Sequence, residues 1–301
     1  MKKVCMMIAA VALMLCAQAF AEGALHIVAT NFPCYDFARQ VAGERAEVTM
    51  LLKPGTEAHA YDPSPADILA ISDADLFVYV GGESDAWADG ILSGFDGKGP
   101  ATLRMMDAVT PLEEDGGEHD HAHDGPEYDE HIWTSPKNAE AMVDAVAAAL
   151  CAIDPEGAEI YEANATAYRA QIEAIDEEIA GIVEASAAKE LVFADRFPFL
   201  YFVRAYGLDY VAAFPSCTAD TEPTPQTILA LINEVEGKGL PAVYTIELST
   251  QAVARTVAEE TGAKILTLHS MQTVSQAEFE AGETYVSLME KNVEALREGL
   301  I

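Results

Sequence analysis

Short apolar runs rich in β-branched residues recur along the chain at 25–30 (LHIVAT), 46–52 (AEVTMLL) and 76–80 (LFVYV), separated by stretches of helical character. Uninterrupted apolar runs alternating with helices predict parallel strands buried on both faces. The pattern breaks at 111–130 (PLEEDGGEHDHAHDGPEYDE), where glycines, acids and histidines leave nothing to bury, and a solvated loop is expected there. Ala, Met and Val return at helical spacing over 136–151, and Asp154-Pro155-Glu156 then has the form of a helix start, with an Asp N-cap and Pro in the first turn. From 155 the helical pattern runs to about 188 without another proline, enough for a rod of roughly 50 Å. The strand–helix rhythm resumes at 190–194, 209–214, 242–247 and 264–268, with helices around 225–236, 249–261 and 282–299. These elements predict an α/β protein of two lobes on mainly parallel sheets. The first lobe is expected at 22–153 with its acidic loop at 113–130, the long connecting helix at 154–188, and the second lobe at 189–301.

Charge narrows the partners. Fifty acidic side chains stand against 17 basic ones, a formal charge of -33. Phosphate backbones bind through clustered Lys and Arg, so nucleic acid is excluded as a partner; cations are attracted. At the N-terminus, Lys2 and Lys3 precede an apolar run at 4–17, and Ala19-Phe20-Ala21 supplies small residues for cleavage after Ala21. This is a secretory signal peptide, too short to span a membrane. Export across the cytoplasmic membrane to a periplasmic or cell-surface location follows. Cys16 leaves a lipid anchor open, although Leu15 before it is bulkier than a lipobox favours. Three cysteines follow the signal, so at most one internal disulfide can form. Cys34 and Cys217, both after strand-like runs, are the pair that could meet, and Cys151 reads as a small buried apolar residue.

Candidate chemistry lies at the carboxyl ends of predicted strands, where open α/β sheets bind ligands. His59 follows the strand at 46–52, His131 precedes a helix, Asp195 follows the strand at 190–194, and His269 follows the last strand. Each has an ordinary reading: His59 and His269 as satisfied turn histidines, His131 as a helix cap, Asp195 as an N-cap or ion partner of Arg196. Four such residues from four strand ends, two per lobe, favour a metal site. Three imidazoles and one carboxylate suit Zn²⁺, with Mn²⁺ the oxygen-preferring alternative. Glu57 and Glu247 are second-line ligands or supporting partners.

These segments carry a resemblance. PGTEAHAYDP (54–63), DEHIWTSP (129–136), FADRFPFLYF (193–202) and TGAKILTLHS (261–270) resemble the zinc- and manganese-type solute-binding proteins of metal-ion ABC transporters, over nearly all of 24–301. The resemblance implies two Rossmann-like lobes joined by one long rigid helix that limits domain closure. It places the two first-lobe ligands on His59 and His131, the third on or beside Asp195, and the fourth on His269, where an acid is usual. The third motif is about two residues longer than usual before Tyr201-Phe202, which keeps Glu247 as a rival to Asp195.

The implied function is capture of zinc outside the membrane and delivery to an ABC permease with its ATPase, by a monomer that is not an enzyme. A manganese-type binding protein is the alternative. An exported zinc hydrolase, with Glu57 as general base, is the competing class, and an adhesin role is known among relatives of this kind. His119, His121 and His123, spaced H-x-H-x-H among acids, form a candidate weak zinc-collecting loop, since ordering a flexible loop offsets part of the coordination energy. The sequence contains no H-E-x-x-H, G-x-S-x-G, C-x-x-C or Walker pattern. Trp87 and Trp133 are expected to pack, with Trp133 close enough to His131 to report on it.

Overall fold

The computed structural model describes residues 24–114, 128–214 and 223–301. The signal segment, the loop histidines His119, His121 and His123, and Cys217 lie outside the described residues.

The first sheet is built from β1 (Leu25–Ala29), β2 (Ala46–Met50), β3 (Leu76–Tyr79) and β4 (Ala101–Arg104), in the order β2-β1-β3-β4. The second repeats that order with β5 (Glu190–Phe193), β6 (Asp209–Ala212), β7 (Ala242–Thr245) and β8 (Lys264–Thr267), as β6-β5-β7-β8. Every pairing is parallel. β4 is the strand the apolar pattern misses. Its residues (ATLR) are mostly exposed at the sheet edge, so no hydrophobic run marks it.

The first-lobe helices are α1 (Phe32–Ala42), α2 (Pro65–Ser72), α3 (Ala86–Gly94) and α4 (Pro136–Ile153). The long α5 (Ala158–Ala185) follows, then α6 (Leu200–Tyr206), α7 (Pro225–Lys238), α8 (Ala252–Thr261), α9 (Gln276–Ala281) and α10 (Tyr285–Leu300). Local chemistry starts them. Asn31 accepts the Cys34 N–H ahead of α1, Thr224 caps α7 before Pro225, and Thr284 and Ser287 form a capping box on α10. The expected Asp154 cap is absent. Its carboxylate instead pairs with Arg45 at 2.6 Å and accepts from the Tyr161 hydroxyl at 2.6 Å, and 155–157 form a separate 3-10 turn before α5.

Alternation along the strands sorts side chains between a shared core and two outer ones. Ile27 and Ala29 of β1, Leu76 and Val78 of β3, Leu191 and Phe193 of β5, and Ala242 and Tyr244 of β7 all join one buried cluster that also takes in α1, α4, α5 and α10. Val28 and Phe77 face outward onto α2 and α3, whereas Val192 and Val243 face α7 and α8. Helix α5 has 28 residues and is therefore about 42 Å long. Tyr161, Ala165, Tyr168, Ile172, Ile175, Ile179 and Ile182 make one buried stripe at helical spacing, so the lobes share a core along it. Cys34 is fully buried in the first turn of α1, and Cys151 is half-buried, more exposed than an apolar reading predicts. No helix among the described residues is long and apolar enough to cross a membrane.

Candidate metal centre

Parallel pairing puts all carboxyl ends of a sheet on one edge, and the loops leaving those ends meet between the lobes. The loop after β2 brings Glu57 and His59. The loop after β3 brings Ser84 and Asp85, those after β5 and β7 bring Asp195, Arg196, Glu247 and Ser249, and that after β8 brings His269 to Gln272. His131 enters from the turn ahead of α4.

His59, Glu130 and His131 form a compact group in which each offers a ligand atom within 4.8 Å of the others. The two imidazole rings stand edge to face with centroids 5.7 Å apart. Each has a carboxylate behind it. Asp129 Oδ1 lies 3.2 Å from His131 Nδ1 and accepts the His131 backbone N–H at 2.8 Å. Glu130 Oε1 lies 3.3 Å from His59 Nδ1, and Ser84 bridges them: its hydroxyl is 2.9 Å from His59 Nδ1 and donates to Glu130, while its N–H donates to Glu130 Oε2 at 2.8 Å. With the Ser84 hydroxyl donating to Glu130, His59 Nδ1–H donates to Ser84 Oγ. With Nδ1 of each ring engaged in this way, Nε2 is the nitrogen a metal would use, as where outer carboxylates orient metal-binding histidines. Gly82 has no side chain to obstruct Glu130, which lies against it.

Burial holds the His59 imidazole below its usual pKa, with the neighbouring His131 acting in the same direction and Glu130 against it. A neutral imidazole is the form a metal needs. Beneath this loop, buried Asp85 accepts from Val80 N at 2.7 Å and from Thr30 Oγ1 at 3.2 Å; burial raises its pKa to about 6 against those bonds.

The second lobe supplies the facing wall. A cleft of roughly 300 Å³ is lined by His59 and Glu57 on one side and by Asp195, Arg196, Glu247, Ser249 and Gln272 on the other. Asp195 accepts from its neighbour's N–H at 2.9 Å and from the Ser249 hydroxyl. Arg196 Nη1 reaches across to Glu57 Oε2 at 2.9 Å. Glu247 accepts both the N–H (2.7 Å) and the hydroxyl of Ser270. Gln272, nearly buried, brings its amide Nε2 to 3.2 Å from His59 Nε2 and is the second-lobe side chain bonded to that ring.

His269 is buried but does not line this cleft. Its Nδ1 accepts the Met271 N–H at 2.9 Å, its Nε2 lies 3.6 Å from Glu278 Oε1, and Asn292 holds its backbone from both sides, at 2.6 and 2.9 Å. Burial pushes its pKa down, but Glu247 and Glu278 outweigh that and leave it raised. Glu278, facing His269, is lowered to about 2 despite its own partial burial. Of the residues singled out in the sequence, His59 and His131 come together, Asp195 and Glu247 share the cleft with His59, and His269 stands behind the wall. Glu130, Ser84 and Gln272 were missed: Glu130 is adjacent to a stronger candidate, and Ser and Gln are not marked as metal chemistry by type.

Two parallel-sheet lobes facing each other across a cleft lined by His59 and carboxylates define a two-lobed α/β binding protein. The chain belongs to the ZnuA family, described as zinc-uptake complex component A, periplasmic, which it matches over residues 27–299. It is 34% identical over 307 residues to the zinc-binding lipoprotein AdcA of Streptococcus pneumoniae, covering 99% of this chain and 61% of that protein. The chain thus spans about 61% of the length of that curated relative. It is 29% identical over 284 residues to the high-affinity zinc uptake system protein ZnuA of Bacillus subtilis, covering 92% of this chain and 88% of that one. Its fold matches the crystal structure of the Zn(II)-bound ZnuA-like domain of Streptococcus pneumoniae AdcA with a TM-score of 0.78 and 33% identity, over 92% of this chain and 99% of that domain.

Proposed function

We propose that this chain captures Zn²⁺ outside the cytoplasmic membrane and delivers it to an ABC-type import permease and its ATPase. The observation that carries the reading is the edge-to-face pair of imidazoles, His59 and His131, each backed by a carboxylate, with His59 opening onto the interlobe cleft. Zinc suits two nitrogen donors better than manganese does, and the relatives named above are zinc-binding proteins. His59 and His131 hold the ion through Nε2, with the charges of Glu130 and Asp129 raising their basicity. Of the partners the sequence nominates in the second lobe, Asp195 lines the cleft while accepting from Ser249, whereas His269 lies outside that lining with Nδ1 engaged by Met271. The histidines of the 113–130 loop are assigned a weaker, collecting role.

A hydrolase needs a general base beside an open coordination position. Glu57, the residue available for that task, is paired with Arg196, which favours binding over catalysis. The test is native mass spectrometry of metal-stripped protein titrated with Zn²⁺ and Mn²⁺. One tight zinc ion is expected, lost in His131→Ala and in His59→Ala. Asp195→Asn and His269→Gln weaken it only if those residues ligate. Tight zinc retained by His131→Ala would place the site elsewhere, and preference for Mn²⁺ would reassign the cargo.

A further inference from the structure

The cleft wall that faces the histidine pair is built in an unexpected way for a bare cation. Arg196 stands in it, one of only 17 basic residues in a chain with 50 acidic ones. A guanidinium and a divalent cation in one cleft repel each other. Among the described residues, the side-chain hydrogen bond of this guanidinium is the one from Nη1 to Glu57. A planar fork of five donors, built to take carboxylates two-pronged, therefore retains donors toward the cleft.

The donor supply points the same way. Structural zinc takes four ligands. The first lobe offers two imidazole nitrogens and a Glu130 oxygen within 4.8 Å of them. The carboxylates around them already have partners: Glu130 accepts from Ser84, Asp195 from Ser249 and the Arg196 N–H, Glu247 from Ser270 and Glu57 from Arg196. The neutral amide of Gln272, from the second lobe, lies 3.2 Å from His59 Nε2. The space is also generous. The cleft volume of roughly 300 Å³ compares with the ~10–15 Å³ that one water requires on the same kind of measure.

We propose that the cleft receives zinc as a ternary complex with a small carboxylate-bearing chelator of the α-amino-acid class, the chelator completing the coordination of His59 and His131 while its carboxylate pairs with Arg196. The carboxylate neutralises the guanidinium, and the amine with a second donor fills the two remaining positions on the ion. This rests on the zinc reading of the site.

L-Histidine and histamine make the test, because they share the imidazole and amine and differ in the carboxylate. Native mass spectrometry of the metal-free protein with zinc and L-histidine should show one protein–zinc–histidine species at 1:1:1. At matched free zinc, L-histidine should tighten zinc binding by about tenfold, within the usual range of coupling between ligands, and histamine should not. In Arg196→Gln the ratio of zinc affinities with and without L-histidine should fall to one, a readout independent of what the substitution does to zinc binding alone. Zinc bound with no histidine retained, equal effects of histidine and histamine, or a histidine gain that survives Arg196→Gln would each overturn the proposal. Failure of zinc to bind in every arm would instead overturn the capture reading beneath it.

Discussion

Asp129→Asn isolates the charge behind His131 without altering the shape of the site. Asp129 and His131 are both nearly buried, and one oxygen, Oδ1, serves both the backbone N–H and Nδ1 of the histidine, at 2.8 and 3.2 Å. Asparagine keeps an acceptor oxygen of the same reach, so the ring orientation survives and the negative charge is lost. When zinc binds Nε2, positive charge develops on the ring, and a full charge at this range in a medium of effective dielectric 20 would be worth about 4–5 kcal/mol. Only part of a charge develops, and outer-shell carboxylates of metal-bound histidines are accordingly worth about 10–100-fold in affinity, or roughly 1.4–2.7 kcal/mol. Competition against a chromophoric zinc chelator at pH 7.5 measures the change. The melting temperature of the metal-free variant checks that the fold is intact. A folded Asp129→Asn protein whose zinc affinity lies within about threefold of the parent, below that outer-shell range, would refute the reasoning and point to another ligand in place of His131.

Three further outcomes follow from the same contacts. Tyr168→Phe removes the hydroxyl that donates at 2.5 Å to the buried Asp36 and should cost about 1.5–3 kcal/mol, read as a lower urea midpoint; an unchanged midpoint would mean Arg39 and the Tyr285 N–H satisfy that carboxylate alone. The His269 pKa is raised, so its stabilising contribution is complete below about 6.5 and is lost as pH rises through its folded value; the stability gap between the metal-free parent and His269→Gln should narrow from acid to alkaline pH. Gln272→Glu puts an anionic donor where an amide now lies 3.2 Å from His59 Nε2 and should tighten zinc by at least about tenfold, since a charge at that range outweighs its desolvation beside a dication; weaker binding in isothermal titration would show that Gln272 is turned away from the ion.

Much of this architecture is legible because burial writes itself into sequence. β3 and β7 are covered on both faces, and LFVY and the AVY of β7 are uninterrupted apolar runs; the edge strand β4 is not covered, and ATLR carries no signal. Helix α9 was passed over because six residues with no buried member leave no periodicity, although its Ser275–Glu278 capping box was present to be read. Asp154 shows the limit of local rules, since a correct cap sequence lost to Arg45, more than a hundred residues away. In the site, histidines announce themselves by type, so His59 and His131 were found. The residues that orient them were not, because Glu130 and Gln272 acquire meaning only once Ser84 and the loop after β8 are folded beside them. His269 had the right type at the right strand end, but its Nδ1 is engaged by Met271 and its Nε2 lies near Glu278, contacts no spacing rule exposes.

How metal could leave such a cleft follows from what ties the lobes together. Asp36 of α1 accepts from Tyr168 of α5 and, at 2.8 Å, from the first N–H of α10. Trp133 beside His131 donates to Ser270 O at 2.7 Å, and Tyr285 returns a bond to Trp133 O at 2.9 Å. Gly55 donates to Val274 O at 2.7 Å and Tyr201 to Asp129 O at 2.8 Å. At about 0.5–1.5 kcal/mol each, a hinge that swung the lobes apart would lose several kcal/mol of hydrogen bonds and expose the shared core along α5 as well. By contrast, the loops at 54–63 and 268–274 can move their side chains while most of these ties stand. Metal-loaded and metal-free protein should therefore give indistinguishable radii of gyration in X-ray scattering, while Trp133, in edge contact with His131 at 5.6 Å between centroids, changes its fluorescence on zinc binding. A clear compaction of the whole particle on loading would show that the ties along α5 are weaker than their geometry implies.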